Sequence, residues 1–296
     1  MKKHTLLAFG CGILLFSACN NSTSTTDNSS KADSTKPAPL AAVALATVSP
    51  SPEFPTASLA IKAVKAEKVG KDSAKVSFDF DVQHYELKMQ TSDNANKMCN
   101  NSDKGQHIHF ILDNGPYKAL YEPKNEITLP NDGKEHYLMA FLSRSYHESI
   151  KSKGAAVVYH FKIDEKGNLK KLDDPKTPMV FYSRPKGDYF GKDVNNVLLD
   201  FYVWNCTLAP DGYKVKADIS NEAIDAQKLT ATIDKWEPHF IQNLGLGKCK
   251  VILTLWDKDG KQVTGDMTTA TREFTLAEQA IATTTPAPAK ADSAKK

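Results

Sequence analysis

Six of the eight histidines of this chain, His84, His107, His109, His136, His147 and His160, fall between positions 84 and 160, while only His4 and His239 lie elsewhere. Imidazole is both a base near neutral pH and the commonest protein ligand for transition metals. The sharpest spacing is Gln106-His107-Ile108-His109-Phe110-Ile111-Leu112. On a strand, alternate residues share a face and stand roughly 6.6 Å apart. Both imidazoles then project from one side, while Ile108, Phe110 and Leu112 enter a core. Two histidines so placed can chelate Zn2+ or Cu2+ once a neighbouring element adds a third nitrogen or a carboxylate. His136, His147 and His84 are the candidates for that third ligand. The same pair also suits a plain role, hydrogen bonding to surrounding loops, and both readings stand.

A second constellation is Ser143-Arg144-Ser145-Tyr146-His147-Glu148-Ser149. Arg144 offers a planar fork for carboxylate or phosphate, and hydroxyls with imidazole can complete an anion pocket, so Arg144, His84 and Glu148 are the candidate ligand-binding residues. The competing reading is a solvated loop. Glu148 could serve as base in metal-assisted hydrolysis. Catalysis is the weakest reading, because the chain holds no Gly-x-Ser-x-Gly, His-Glu-x-x-His or P-loop pattern, and no catalytic residue is assigned.

The elements that must position these residues read as strands. Runs such as Lys75 to Val82, His107 to Leu112, Tyr137 to Leu142, Ala156 to Ile163, Val197 to Val203, Tyr213 to Ile219 and Lys250 to Trp256 are rich in β-branched and aromatic residues. Their polarity alternates as in half-buried strands, and turn signals such as Asp113-Asn114-Gly115-Pro116, Asn131-Asp132-Gly133 and Asp257-Lys258-Asp259-Gly260 separate them. The fold class is therefore all-β and antiparallel, with the spacing of immunoglobulin-like sandwiches.

The two halves also match in order. Phe78 to Val82 aligns with Leu199 to Val203, Tyr121-Glu122-Pro123 with Trp236-Glu237-Pro238, Gly133-Lys134 with Gly247-Lys248, and Val157 to Ile163 with Arg272 to Leu276. This implies a tandem duplication, with a histidine-rich first repeat at 57–165 and a second repeat at 166–276.

Charged Lys2 and Lys3, an apolar run from Leu6 to Phe16 and the small residues before Cys19 read as a secretory signal over 1–18. Residues 19–56 are Ser, Thr, Pro and Ala rich and read as a disordered tether, and 277–296 as a disordered tail. Of the five cysteines, Cys11 lies in the signal, leaving Cys19, Cys99, Cys206 and Cys249. Cys206 with Cys249 is the first expectation for a disulfide, and Cys99 with either is the alternative. No Cys-x-x-Cys pair supports a redox motif or a zinc knuckle. A net charge of +3 over 296 residues gives no basic stripe for nucleic acid.

Phe16-Ser17-Ala18-Cys19 resembles the lipobox of bacterial lipoproteins, which implies acylation at Cys19 and anchoring to a membrane. Asn20 in the following position implies the outer membrane. The His-x-His strand, Asp113 after it, and Gly133-x-x-His136 opening a later strand resemble a group of uncharacterised extracytoplasmic β-sandwich domains. The longer string from Gly105 to Phe110 and on through Phe141 to Ser149 is similar to a family of bacterial envelope lipoproteins. The resemblance implies a fold and an address, and no chemistry. The expectation is an anchored binding protein for a transition metal, Zn or Cu, or a small anionic ligand. The alternative is a structural or protein-interaction module of the envelope whose histidines are incidental.

Overall fold

The computed structural model describes residues 41–224 and 227–279. They form two β-sandwiches built to one plan, antiparallel but for one edge pair in which Gly187–Phe190 runs parallel to Thr269–Ala277. In the first, β2 (Ser58–Val69), β3 (Ser73–Gln83) and β6 (Lys124–Pro130) make a three-stranded sheet. It faces a five-stranded sheet of β4 (His107–Leu112), β5 (Lys118–Leu120), β7 (Glu135–Ser143), β8 (Ala156–Ile163) and β9 (Leu169–Lys171), ordered β5-β4-β7-β8-β9. Strict alternation along β3 sends Val76, Phe78 and Phe80 into a core shared with Ile108, Phe110, Leu138, Leu142 and Phe161.

The second sandwich packs β1 (Ala44–Thr47), β15 (His239–Gln242), β12 (Val197–Trp204) and β10 (Met179–Arg184) against a second sheet. That sheet holds β11 (Gly187–Phe190), β17 (Thr269–Ala277), β16 (Gly247–Trp256), β13 (Lys214–Asn221) and β14 (Lys228–Ile233). The pairings repeat. β3 lies between β2 and β6 as β12 lies between β10 and β15, and β4 between β5 and β7 as β13 between β14 and β16. The four sequence matches fall on or beside these equivalent strands. This connectivity, with one sheet of first, second and fifth strands and another of third, fourth, sixth and seventh, is immunoglobulin-like.

Two boundaries differ from those expected of the sequence. β9 pairs with β8 and completes the first sandwich, because the turn at Asp164 to Asn168, with Gly167 at φ +84°, folds the chain back. The join therefore lies between Lys171 and Met179, past residue 165 but within the stretch from Asp164 to Pro178 where the sequence places it. Residues 41–56, expected as tether, are ordered. β1 pairs antiparallel with β15 at the edge of the second sandwich, anchored by Val43 in that core. Leu40 to Ala46 is the apolar run of the segment, and it supplies what the flanking Ser, Thr and Pro residues lack. The signal over 1–18, Cys19, the tether up to residue 40 and the tail from 280 lie outside the described residues.

The sandwiches touch face to face. Ile111, Tyr117, Tyr137, Met139, Phe141 and Val158 of the first pack on Met179, Phe181 and Tyr202 of the second. Buried on both sides, β7, β10 and β12 carry nearly continuous apolar runs in place of the alternation read from sequence. His107 and His109 share the face of β4 that enters this contact.

Candidate functional site

β4 carries Ile108 and Phe110 into the core of the first sandwich and His107 and His109 to the other side. The strand starts from Gly105, whose φ of +79° and closeness to the Lys88 carbonyl leave no room for a side chain. The Gly105 carbonyl, which can only accept, receives a 2.8 Å bond from His107 Nδ1. That fixes the tautomer and leaves Nε2 of His107 as a bare lone pair. Two further imidazoles converge on it: His109 Nε2 at 2.9 Å and His147 Nδ1 at 3.1 Å. His147 comes from the long loop between β7 and β8, from a tight turn at its start where its N–H donates to the Arg144 carbonyl and its φ is +69°. One nitrogen from each ring lies within 4.8 Å of the others, the one such cluster of three ligand groups among the described residues.

All three rings are buried, His107 and His109 completely. Burial pushes the His107 imidazole down to about 4, with a smaller push from Arg184 and Lys186, against the Gly105 hydrogen bond. Burial also holds His109 and His147 well below the ordinary histidine range, reinforced by their neighbours and by Arg184. At neutral pH the cluster is therefore three neutral imidazoles. His109 Nδ1 lies 3.0 Å from Ser183 Oγ, a partner supplied by β10 of the second sandwich. A tetrahedral ion 2.0–2.1 Å from each nitrogen needs separations of about 3.4 Å, so a small opening of the cluster would admit one.

The remaining candidates lie apart. His136 sits one strand over on β7 but at the opposite parity, facing Phe161 in the core. Its Nδ1 pairs at 2.7 Å with Asp113, which also accepts the Tyr137 N–H. His84 is exposed at the end of β3 and walls a cavity with Tyr85, Met89 and Gln106. Arg144 and Glu148 form a buried ion pair at 3.0 Å beside a different cavity of about 320 Å³. Arg144 also donates to the Pro52 carbonyl, and Glu148 accepts from Ser51 Oγ at 2.8 Å. Burial raises the Glu148 carboxyl, opposed by Arg144. Both charged groups already serve each other and the incoming chain, so they clamp residues 51–52 in place of an anion.

Cys99, Cys206 and Cys249 are all unpaired. Cys206 follows β12 at the end where Lys214 of β13 pairs with Trp256, whereas Cys249 pairs with Asn221 at the opposite end of β13. The length of that strand separates the two thiols.

Sequence reasoning missed the surroundings of the cluster. The Tyr117 ring stacks on His109 at 3.6 Å between centroids and 9° between planes, and its Oη lies 3.2 Å from His147 Nδ1. Lys186 Nζ stands 4.3 Å from the centre of the Tyr117 ring, and the Arg184 guanidinium 5.4 Å. Tyr117 reads as the end of a turn, and Arg184 and Lys186 lie some 70 positions away in the other repeat. No motif joins them.

No protein-family model and no curated protein matches the chain. Among solved structures it is similar to fibronectin(III)-like modules of CbhA from Clostridium thermocellum. That match has a TM-score of 0.24 and 11% identity, covering 74% of this chain and 94% of that one. It is also similar to the two tandem V-type regions of VCBP3, a v-region-containing chitin binding protein, with a TM-score of 0.24 and 8% identity, covering 75% and 99%. At such scores the fold assignment rests on the strand pairing above.

Proposed function

We propose that the chain is a lipid-anchored binding protein of a bacterial envelope, tethered at Cys19 to the outer membrane. Its first sandwich holds a transition metal ion between His107, His109 and His147. The observation that carries the metal reading is the convergence of three buried, neutral imidazole nitrogens within 4.8 Å. Hydrogen bonds on the far ring nitrogens of His107 and His109, to the Gly105 carbonyl and Ser183, support it in the way outer-shell partners orient metal ligands. An all-nitrogen set suits Zn2+ and Cu2+. The anion reading loses its main residue, because Arg144 is committed to Glu148.

One observation favours the alternative of an envelope interaction module with structural histidines. His107 Nε2 can accept from His109, and His147 Nδ1 can accept from the Tyr117 hydroxyl, so the cluster satisfies itself without an ion. Metal analysis and calorimetric titration of the full-length chain with Zn2+ and Cu2+ separate the two. Near one equivalent bound, and lost in the His107→Ala and His109→Ala variants, establishes the metal site. No binding by the wild type leaves the histidines structural. For the anchor, Cys19→Ala is expected to move the protein from the membrane fraction to the soluble fraction.

A further inference from the structure

The bulge in β10 between Tyr182 and Arg184 turns Ser183 toward His109 and leaves Tyr182 and Arg184 beside Tyr189 of β11. Tyr189 Oη accepts from Arg184 Nη1 at 2.9 Å and from the Lys186 backbone N–H at 3.0 Å. With both lone pairs taken, its own hydrogen has no acceptor among the described residues. Two more polar groups there are buried without a partner: the hydroxyl of Tyr182, a residue with no exposed surface, and Nε of Arg184, which is 7% exposed. Burial holds the Tyr182 phenol well above its ordinary range, and Tyr189, Arg272 and Arg184 are the neighbours that act on it. Positive charge gathers at the same place. Lys186 Nζ donates to the Tyr117 carbonyl and Arg272 Nη2 to the Asn114 carbonyl, each at 2.8 Å. The Arg272 guanidinium lies 5.1 Å from the centre of the Tyr182 ring, and its Nε is also buried and unpartnered. None of the three cations has a carboxylate partner among the described residues. Enclosed positive charge without a counter-ion is costly, and each buried donor left unbonded adds to the cost. A water molecule takes hydrogen bonds and leaves the charge. An anion answers both.

We propose that Tyr182, Arg184 and Tyr189 bind a halide ion, chloride, which accepts from Arg184 Nε and from the two tyrosine hydroxyls within the field of Lys186 and Arg272. The donor set selects the class of anion. Arg184 has given Nη1 to Tyr189, and Arg272 has given Nη2 to Asn114, so neither presents an unused guanidinium to a phosphate or sulfate. Single donors from separate side chains suit a spherical ion, and a halide is cheaper to dehydrate than phosphate. The site is distinct from Arg144 and stands whether or not the histidines hold a metal. Lys186 and Arg272 also grip the first sandwich through the Tyr117 and Asn114 carbonyls, so an anion that fixes these side chains braces the joint between the two sandwiches.

The test is urea denaturation of the full-length chain, with a chelator present, in sodium chloride and in sodium gluconate of equal ionic strength. Chloride is expected to stabilise the fold saturably over gluconate, lowering the unfolding constant about tenfold at ten times its dissociation constant, and bromide is expected to substitute for it. Tyr182→Phe keeps the ring against Arg272 and removes one donor, so it is expected to bind chloride several-fold more weakly. Broadening of the chlorine NMR line by the wild type, reversed by bromide, reads the bound ion without any variant, should Tyr182→Phe fold poorly. Coincident curves in chloride and gluconate, with no broadening, overturn the site and leave water as the partner of the buried donors. A chloride effect that is unchanged in folded Tyr182→Phe overturns its placement at these residues. Displacement of the chloride by an equal or lower concentration of inorganic phosphate overturns the halide assignment.

Discussion

β4 and β13 are the same strand in two copies of one fold, and they present opposite outward faces. Each sits between equivalent neighbours, and each sends alternate apolar side chains inward: Ile108 and Phe110 from β4, Val215, Ala217 and Ile219 from β13. Outward, β13 carries Lys214, Lys216 and Asp218 toward solvent, with Lys216 resting over the Trp256 ring. β4 carries His107, His109 and Ile111 into the contact between sandwiches. A strand face that meets water takes charge, and a face that is covered takes apolar groups, as Met139, Phe141 and Phe181 do nearby. Histidine at two covered positions follows neither rule. Burying those polar rings costs stability unless they are bonded, and the structure bonds each of them.

A reciprocal exchange breaks this comparison most sharply. His109→Lys places an ammonium in a site with no exposed surface, already near Arg184 and Lys186, and is expected to destabilise the fold by about 3–5 kcal/mol. Lys216→His, at an outward position of β13, is expected to change stability by about 0.5 kcal/mol or less. Urea denaturation of both variants measures the difference. Equal effects would mean that the β4 face is not sealed.

Acid acts on the same contrast. The three clustered imidazoles have folded-state pKa values below that of an exposed histidine, so as pH falls the unfolded chain binds protons first. Their contribution to stability is fully present above about pH 6.5 and is lost as pH falls toward the folded value. For His107 that window ends at about 4, a loss of about 3 kcal/mol from this ring alone. Glu148, raised by burial, works in the opposite direction. In metal-free protein held with a chelator, the urea midpoint is expected to drop between pH 7.5 and 4.5, and His107→Gln to flatten that dependence. The second sandwich has His239, also lowered by burial but only half-buried, and contributes less.

The edge strand offers a smaller test. Val43 reaches the second core from a segment that precedes the first sandwich, so Val43→Ala is expected to cost about 1–2 kcal/mol. A chain beginning at residue 57 is expected to lose more. It sheds β1 together with the bonds from Ser51 and Pro52 that complete the Arg144–Glu148 clamp.

What the sequence reveals and hides in this molecule follows from how local each signal is. The period of two along residues 107–112 places both histidines on one face without any knowledge of the fold. The same rule separates His136 from them, once β7 is known to turn Leu138 inward. The ordered matches between the halves name equivalent strands because duplication preserves order. The contact between sandwiches is written as the loss of alternation in Tyr137 to Leu142 and Met179 to Tyr182, a signal easily read as an ordinary strand. β1 is four residues inside a polar stretch, too short to stand out. Tyr117 joins the site through the pairing of β4 with β5, and Ser183, Arg184 and Lys186 through the packing of one sandwich on the other, which no spacing along the chain encodes.

Ser183 separates the two accounts of the cluster with the smallest change. Its hydroxyl is the one direct hydrogen bond from the second sandwich to the three histidines among the described residues, meeting His109 Nδ1 at 3.0 Å. If the histidines only tie strands and loops together, Ser183→Ala removes one buried bond and costs about 1 kcal/mol of stability, the same with or without metal ions. If His109 Nε2 is a ligand, the same hydroxyl holds the ring in the tautomer and orientation that aim Nε2 at the ion. Its loss then weakens metal binding by about 10-fold or more, beyond the stability cost. The measurement is a pair of denaturation curves with and without Zn2+. A Zn2+-dependent stabilisation that shrinks in Ser183→Ala shows a residue of one sandwich supporting a metal held by the other, and an unchanged difference between the curves confines the role of Ser183 to packing.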